Sequence, residues 1–354
     1  MSVTELTEKL ATPELHTALY RGVRTVAVYS DRRTEFAALR LAAGVYDLGW
    51  RAKIVLTGSD RVRWLNGMIT NNVRDLPVGR GVYAFLLNPQ GRIQADLYAY
   101  NRGDSLLVDS DQSQAGKVLG IFDHYIIMDD VEVANTTDKL TAIGIAGPKS
   151  EEALRAAGLE VLVTDSLQVQ DASWEQAGVT IVRGDSAEFH SYEVWLAPAN
   201  VDRLWNALVK AGAVPTGSEA YELLRIAAGF PVYGQDIRDR DLPQETGQSR
   251  ALHFTKGCYV GQEIVERIHS RGNVHRTFTG FLLDGPQVEP AASIRVDGKD
   301  VGELTSAAVL PVADTDIAVG LGYIRREAGV PGREVQIGNK TARVSRLPFA
   351  DVFQ

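Results

Sequence analysis

The sequence predicts an α+β chain that ends in a small β-barrel or sandwich. Three observations carry this. Apolar runs of strand length are joined by tight turns and do not alternate with helices, which excludes the βαβ rhythm of a doubly wound sheet. The order strand, helix, strand, strand, helix recurs before Gly229, as in two ferredoxin-like halves. From Val274 onward, short strands are spaced evenly between glycine-bearing turns.

The elements follow in order. Residues 36–43 carry apolar side chains at helical spacing, with Gly44 as the stop. Residues 53–57 read as a strand. Ser59 or Asp60 then caps a helix with Val62, Leu65, Met68 and Ile69 on one side. Two apolar runs, 83–87 and 93–100, flank the turn Asn88-Pro89-Gln90-Gly91, and 105–108 pairs with them. Residues 140–146 form a strand, Gly147-Pro148 opens a helix to Leu154, and Gly158 sits just past its end. Strands at 179–183 and 192–196 precede a helix at 201–211, with Leu204, Leu208 and Val209 on one face. A second helix runs from about Ser218 to Ala228 and stops at Gly229. Gly285-Pro286 and Glu289-Pro290 punctuate the last part. There Asp297-Gly298-Lys299 joins strands at 293–296 and 301–305, residues 318–324 form another, and Gly338-Asn339-Lys340 joins 334–337 to 341–345.

Composition narrows the function. With 354 residues, the chain has room for two or three domains. A 45% hydrophobic and 23% charged make-up excludes wholesale disorder and a collagen-like repeat. A net charge of −8 argues against direct DNA binding and against an acidic membrane surface. The single cysteine, Cys258, forbids an internal disulfide and fits a reducing compartment. The N-terminal residues show no secretory core, and no uncharged run approaches bilayer length, so a cytoplasmic protein is expected.

The densest chemistry lies in Lys256-Gly257-Cys258-Tyr259-Val260-Gly261-Gln262-Glu263. Two glycines flank the thiol, and Val260, Ile264, Val265 and Ile268 continue at helical spacing. A thiol on a glycine turn at a helix start meets unpaired N–H groups and the positive end of the dipole. Lys256, Arg267 and Arg271 add positive charge nearby in sequence. Together these favour the thiolate, the form that ligates metals and attacks electrophiles. A lone cysteine is more often a small buried hydrophobe; the glycines, the lysine and the Gln262-Glu263 pair argue against that here.

Asp96 interrupts an otherwise apolar or aromatic strand. Alternation from Ile93 puts Ala95 and Leu97 on one face and Asp96 on the other, with Gln94 and Tyr98. Such a residue is ordinarily solvent-facing. The functional reading is a carboxylate lining a cleft, able to bind or protonate a nitrogen base. Tyr192-Glu193 before Val194-Trp195-Leu196 repeats the pattern. The histidines form no Cys-x-x-Cys or His-Glu-x-x-His motif, so no complete metal site is expected within one chain. Arg267, His269, Arg271, His275 and Arg276 form a basic run. Such runs are usually solvated surface; beside a reactive thiol this one suits a polyanionic tail or an acidic partner.

The octapeptide from Lys256 to Glu263 resembles the K-G-C-[FY]-x-G-Q-E signature of the YgfZ family, folate-binding proteins that support iron–sulfur cluster assembly and repair. Arg271-Gly272-Asn273-Val274-His275-Arg276 resembles its continuation. That family is related to the glycine-cleavage aminomethyltransferase, or T-protein, and this wider resemblance covers nearly the whole chain. Gly44-Val45-Tyr46-Asp47-Leu48, residues 65–72, Leu87 with the turn to Gly91, Leu223-Leu224-Arg225-Ile226 and Pro231-Val232-Tyr233-Gly234 all resemble T-protein segments. The resemblance implies a three-domain cloverleaf around a central channel for tetrahydrofolate or a one-carbon derivative. Residues 1–50 and 135–250 would form a discontinuous α+β domain and 51–134 a second one. Residues 251–273 would be the motif-bearing connection and 274–354 a C-terminal β-barrel. It further implies that Asp96 faces the folate nitrogens and Glu193 grips the pteridine edge, with Tyr192 and Arg225 also binding cofactor. A carboxylate can accept paired N–H bonds from an aminopyrimidinone ring. Two departures stand out: Ala95 sits where T-proteins often carry a second acid, and Cys258 where they lack cysteine.

Three functional readings follow from the resemblance. The leading one is a tetrahydrofolate-binding accessory protein for iron–sulfur assembly or repair. Cys258 would act as a ligand to a transient cluster shared with a carrier or client protein, or as a nucleophile. One cysteine cannot fill a four-thiolate site, so other ligands must come from another chain or a small thiol. The alternative is a folate-dependent aminomethyltransferase or amine demethylase of the T-protein type, in which Asp96 is catalytic. The third is an accessory to tRNA modification acting through a partner enzyme.

Overall fold

The computed structural model describes residues 2–12, 15–186, 189–272, 274–285 and 289–349, with Arg271 described by its backbone alone. Asn273 and Pro286 lie outside the described residues. In chain order the elements are α1 (Glu5–Leu10), β1 (His16–Tyr20), β2 (Val23–Val28), α2 (Arg32–Leu41), β3 (Gly44–Asp47), β4 (Arg51–Thr57), α3 (Arg61–Met68), β5 (Arg80–Leu87), β6 (Ile93–Asn101) and β7 (Leu106–Asp111). Next come α4 (Gln112–Tyr125), β8 (Glu132–Asn135), β9 (Thr141–Ala146), α5 (Ser150–Ala156), β10 (Val169–Trp174), β11 (Ala177–Arg183), β12 (Ser191–Leu196), α6 (Val201–Lys210), β13 (Val214–Thr216), α7 (Ser218–Ala228) and α8 (Gln262–Arg271). The chain closes with β14 (Arg276–Leu283), β15 (Ser293–Val296), β16 (Lys299–Val312), β17 (Thr315–Arg325), β18 (Glu334–Ile337) and β19 (Lys340–Ser345). The α+β class and the C-terminal barrel expected from the sequence are both present.

The chain divides into two compact units. The first comprises Met1–Gly67, Asn71–Ala84 and Leu97–Tyr221. Its six-stranded sheet runs β10-β11-β12-β9-β3-β13, antiparallel except where β13 lies parallel to β3. One face is a core: Ile143, Ile145, Ile181, Tyr192, Val194 and Leu196 pack with Leu154 of α5 and Leu204 and Leu208 of α6. The other face carries Glu193. In register across three strands stand Tyr46, Gly144 and Glu193. A Cβ on Gly144 would lie 2.1 Å from the Tyr46 ring, so only glycine lets that ring lie across the sheet.

A five-stranded sheet is ordered β5-β6-β7-β4-β8. Its two-residue period sends Ala52, Ile54 and Leu56 of β4 inward, each fully buried, and puts Arg51, Lys53 and Val55 on the opposite face. Lys53 stands across from Asp109, and Arg51 across from Asp111. Gly44 does not cap the preceding helix. α2 ends at Leu41, and Gly44 opens β3, where a Cβ would lie 2.6 Å from Leu39 Cδ2.

The second unit comprises Met68–Thr70, Phe85–Asp96 and Glu222–Gln354. Its barrel closes in the order β14-β17-β16-β15-β18-β19, because β14 pairs with both β17 and β19. Phe281, Ile294, Leu304, Ile324, Val335 and Ile337 fill it. Asp297 and Gly298 make the β15–β16 turn with φ of +51° and +75°, the primed geometry a tight hairpin needs. The strand expected at 301–305 is the start of the longer β16, which bulges at Thr305.

Candidate functional site

In the first unit, Glu193 is half-buried in a ring of aromatic side chains. Its Oε2 accepts a 2.8 Å hydrogen bond from Trp195 Nε1. Tyr100 meets Trp195 edge-on at 4.9 Å, and Tyr46 lies 4.7 Å from Tyr221. Burial is the largest cause that raises the Tyr46, Tyr100 and Tyr221 hydroxyls above their usual range; the Glu193 charge adds to it in each, against Arg21 and Arg51 at Tyr221. These phenols remain hydrogen-bond donors at any physiological pH.

Beneath this ring lies a buried ionic network. Lys53 is fully buried; its Nζ donates to Asp109 Oδ2 and sits 4.6 Å from the Trp195 ring centre. Arg51 Nε donates to Asp109 Oδ1 at 2.8 Å, and its Nη1 donates to Asp111 Oδ1 at 2.6 Å. Arg21 Nη1 donates to Asp111 Oδ2 at 2.9 Å. Burial opposes the Arg51 charge, but Asp109, Asp111 and Glu193 together hold its guanidinium well above its usual range. Arg21, Arg51 and Lys53 thus balance Asp109, Asp111 and Glu193. Apart from Glu193, none of this network was singled out from the sequence. Its signal was there: charges two apart in otherwise apolar strands, Arg51 with Lys53 and Asp109 with Asp111.

Tyr192 is corrected by the same periodicity. As the neighbour of Glu193 it points to the opposite face, where its ring joins the core, 3% exposed, and its hydroxyl donates to Glu151 Oε2 at 3.4 Å. It is not brought to Glu193.

In the second unit, Asp96 is half-buried on β6, with Ala95 and Leu97 buried beside it as alternation requires. Arg225 does not present a free guanidinium to a cofactor. Its Nη1 donates to Asp236 Oδ2 at 2.7 Å and to the Phe230 carbonyl at 2.6 Å, and its Nη2 donates to Glu222 and to Ser306 Oγ at 3.0 Å. With 5% exposure it is an internal tie, the ordinary fate of a buried cation among acceptors.

The cysteine motif folds against the turn after β5. Lys256 is buried, with Nζ donating to the Ile69 carbonyl at 2.7 Å and lying 4.9 Å from the Tyr259 ring centre. Tyr259 is buried, while Gly257 and Cys258 are exposed. Lys256 therefore anchors the turn. Gly257 takes φ +94° and Gly261 φ +81°. A Cβ on Gly261 would lie 2.6 Å from the Asn88 carbonyl oxygen, so this glycine meets both a left-handed backbone and a close approach. Gln262 Oε1 accepts from the Tyr259 N–H at 3.3 Å. Glu263 is exposed and pairs with Arg267 at 2.8 Å.

Two expectations change here. α8 begins at Gln262 after a left-handed Gly261, so Val260 lies outside the helix and Cys258 four residues before it. The basic run is largely engaged: Arg276 donates to Asp241 at 2.7 Å and Glu245 at 3.0 Å, and His269 stacks on Phe254 at 3.8 Å. The buried-hydrophobe reading of Cys258 does not hold, because the thiol is exposed. No helix among the described residues is long and apolar enough to cross a membrane.

Comparison with known proteins agrees with the architecture. Residues 18–256 match the GCVT N-terminal domain, and residues 276–351 match the glycine cleavage T-protein C-terminal barrel domain. An aminomethyltransferase of Rubrobacter xylanophilus is 30% identical over 336 residues, covering 93% of this chain and 89% of that protein. One from Picosynechococcus is 26% identical, covering 93% of each. A putative chloroplastic transferase of Arabidopsis thaliana is 28% identical over 86% of this chain and 71% of its own. The crystal structure of the glycine cleavage system aminomethyltransferase T from Bartonella henselae superposes with a TM-score of 0.87 at 21% identity, over 99% of this chain and 97% of that one, and so shares the fold. On the domain matches and the full-length relatives, the chain belongs to the glycine cleavage T-protein (GCVT) family.

Proposed function

We propose that this chain binds a reduced folate and moves a one-carbon unit between an amine and that folate. The observation that carries this reading is Glu193: a carboxylate set among Tyr46, Tyr100, Trp195 and Tyr221, over a charge-balanced base. A carboxylate accepts paired N–H bonds from the aminopyrimidinone edge of a pterin, and aromatic rings cover its faces. The relatives named aminomethyltransferase support the reaction class. Asp96 is the residue assigned to proton handling at the amine or folate nitrogens. Calorimetry with tetrahydrofolate is expected to show binding that Glu193→Ala weakens about ten- to a hundredfold, the loss of one charge-assisted hydrogen bond. Equal affinity in the variant removes Glu193 from the site. Absence of methylene-tetrahydrofolate formation from an aminomethyl donor removes the transferase reading.

The exposed Cys258 favours a second reading, in which the folate-bound protein supports iron–sulfur cluster assembly or repair through this thiol. A thiol on an anchored turn is accessible to a cluster shared with a carrier protein, or to a sulfur species. Any effect on tRNA modification would then be indirect, through a cluster-dependent partner enzyme. Cys258→Ser is expected to fold and bind tetrahydrofolate normally yet fail to sustain cluster-enzyme activities in cells that depend on this gene. Full complementation by the serine variant excludes the thiol from function.

A further inference from the structure

Resting on the folate reading of Glu193, we propose that Trp195 is a positioning residue: its indole N–H holds the Glu193 carboxylate in the orientation that meets the N–H edge of the pterin. Glu193 and Trp195 lie two apart on β12, which pairs with both neighbours in unbroken register, so the two side chains leave the same face of the sheet. Beside them on β9 stand Gly144 and Ala142, too small to compete for that face. The indole spans the gap along the strand, and its Nε1 donates to Glu193 Oε2 at 2.8 Å. Among the described residues no other group donates to this carboxylate.

The indole is itself immobilised. Trp195 is 1% exposed, Tyr100 meets its ring edge-on, and Lys53 Nζ sits over the same ring. Lys53 is held in turn by Asp109. A half-buried glutamate side chain ordinarily samples several rotamers. Tied at Oε2 to a fixed donor, Glu193 keeps one, so less ordering is left for a ligand to impose. The Lys53 ammonium acts on Glu193 through the indole: a cation over the ring face draws electron density toward itself and leaves the N–H edge more positive. An indole N–H only donates, and it occupies one of the roughly four acceptor positions of an ionised carboxylate. Oε1 and the rest of Oε2 stay acceptors, which selects a ligand edge made of neighbouring N–H donors. A core-filling role needs none of this, since any large apolar side chain would serve it.

The test removes the N–H and keeps the shape. Placed at position 195 alone, β-(3-benzothienyl)alanine carries sulfur where the indole has N–H. Calorimetry with tetrahydrofolate is expected to show about tenfold weaker binding by this variant, the loss of one hydrogen bond, at an unchanged melting temperature. Affinity equal to that of the unaltered protein overturns the proposal, because a purely structural Trp195 depends on shape alone. A second measurement needs no ligand. In nitrogen-15 NMR, the Trp195 indole signal, identified by its loss in Trp195→Phe, should shift and exchange its proton faster in Glu193→Ala. A signal that Glu193→Ala leaves in place also overturns the proposal. Absence of tetrahydrofolate binding by the unaltered protein overturns the folate reading instead, and the indole signal still decides whether Trp195 holds Glu193.

Discussion

Asp109→Ala is expected to cost about 3–5 kcal/mol of folding stability, the range for breaking a buried ion pair by removing one partner. Asp109 is 1% exposed and receives both Lys53 Nζ and Arg51 Nε. Its removal strands a fully buried ammonium under Trp195 and takes one of two carboxylates from Arg51. Lys53→Met should cost less, because Asp109 then keeps Arg51 and a methionine fills much of the lysine's volume. Urea denaturation of the two variants checks the order. If Asp109→Ala unfolds with an unchanged midpoint, the network contributes nothing to stability and its role is confined to shaping the Glu193 surroundings.

Asp236→Ala should have a comparable effect in the second unit, about 3–5 kcal/mol. Asp236 is fully buried and accepts from four groups: Arg225 Nη1 at 2.7 Å, the Val232 N–H at 3.1 Å, Ser306 Oγ at 2.7 Å and Thr305 Oγ1. The bulge in β16 makes this possible. Consecutive residues of a regular strand point to opposite faces, whereas a bulge re-aims one of them, so Thr305 and Ser306 reach one carboxylate. Glu222 stays bonded to Arg225, which places the expected loss toward the lower end. Asp236→Asn, which retains the shape and one of the two acceptor oxygens, should recover part of it. Hydrogen exchange at barrel amides gives the local readout; unchanged protection in Asp236→Ala would contradict the assignment of this acid as the tie.

What the sequence made legible tracks the strength of local signals. α6, α7 and the β15–β16 and β18–β19 hairpins carry strong periodicity or glycine turns, and their positions follow from those alone. α4 was missed because Gly116 and Gly120 dilute its propensity, although Gln114, Val118 and Phe122 recur every fourth residue on its buried side. β10 was missed because it is a polar edge strand, with Gln170, Asp171 and Ser173 interrupting the apolar pattern. The carboxylates Asp96 and Glu193 stood out because acids in apolar strands are rare. Arg225 and Tyr192 did not reveal their orientation: a buried arginine and a solvent-seeking one look alike until their acceptors are placed.

Closure of the C-terminal barrel bears on how this protein tolerates shortening. Every barrel strand has two neighbours, and β19 is the piece that joins β14 to β18. A nonsense codon at Gly338 would delete only a short tail by length, yet it would leave two strands with rows of unsatisfied N–H and C=O groups. Such rows are templates for pairing with another chain. The last turn and strand therefore satisfy both of those edges, and a frameshift there is expected to expose them for pairing with another chain.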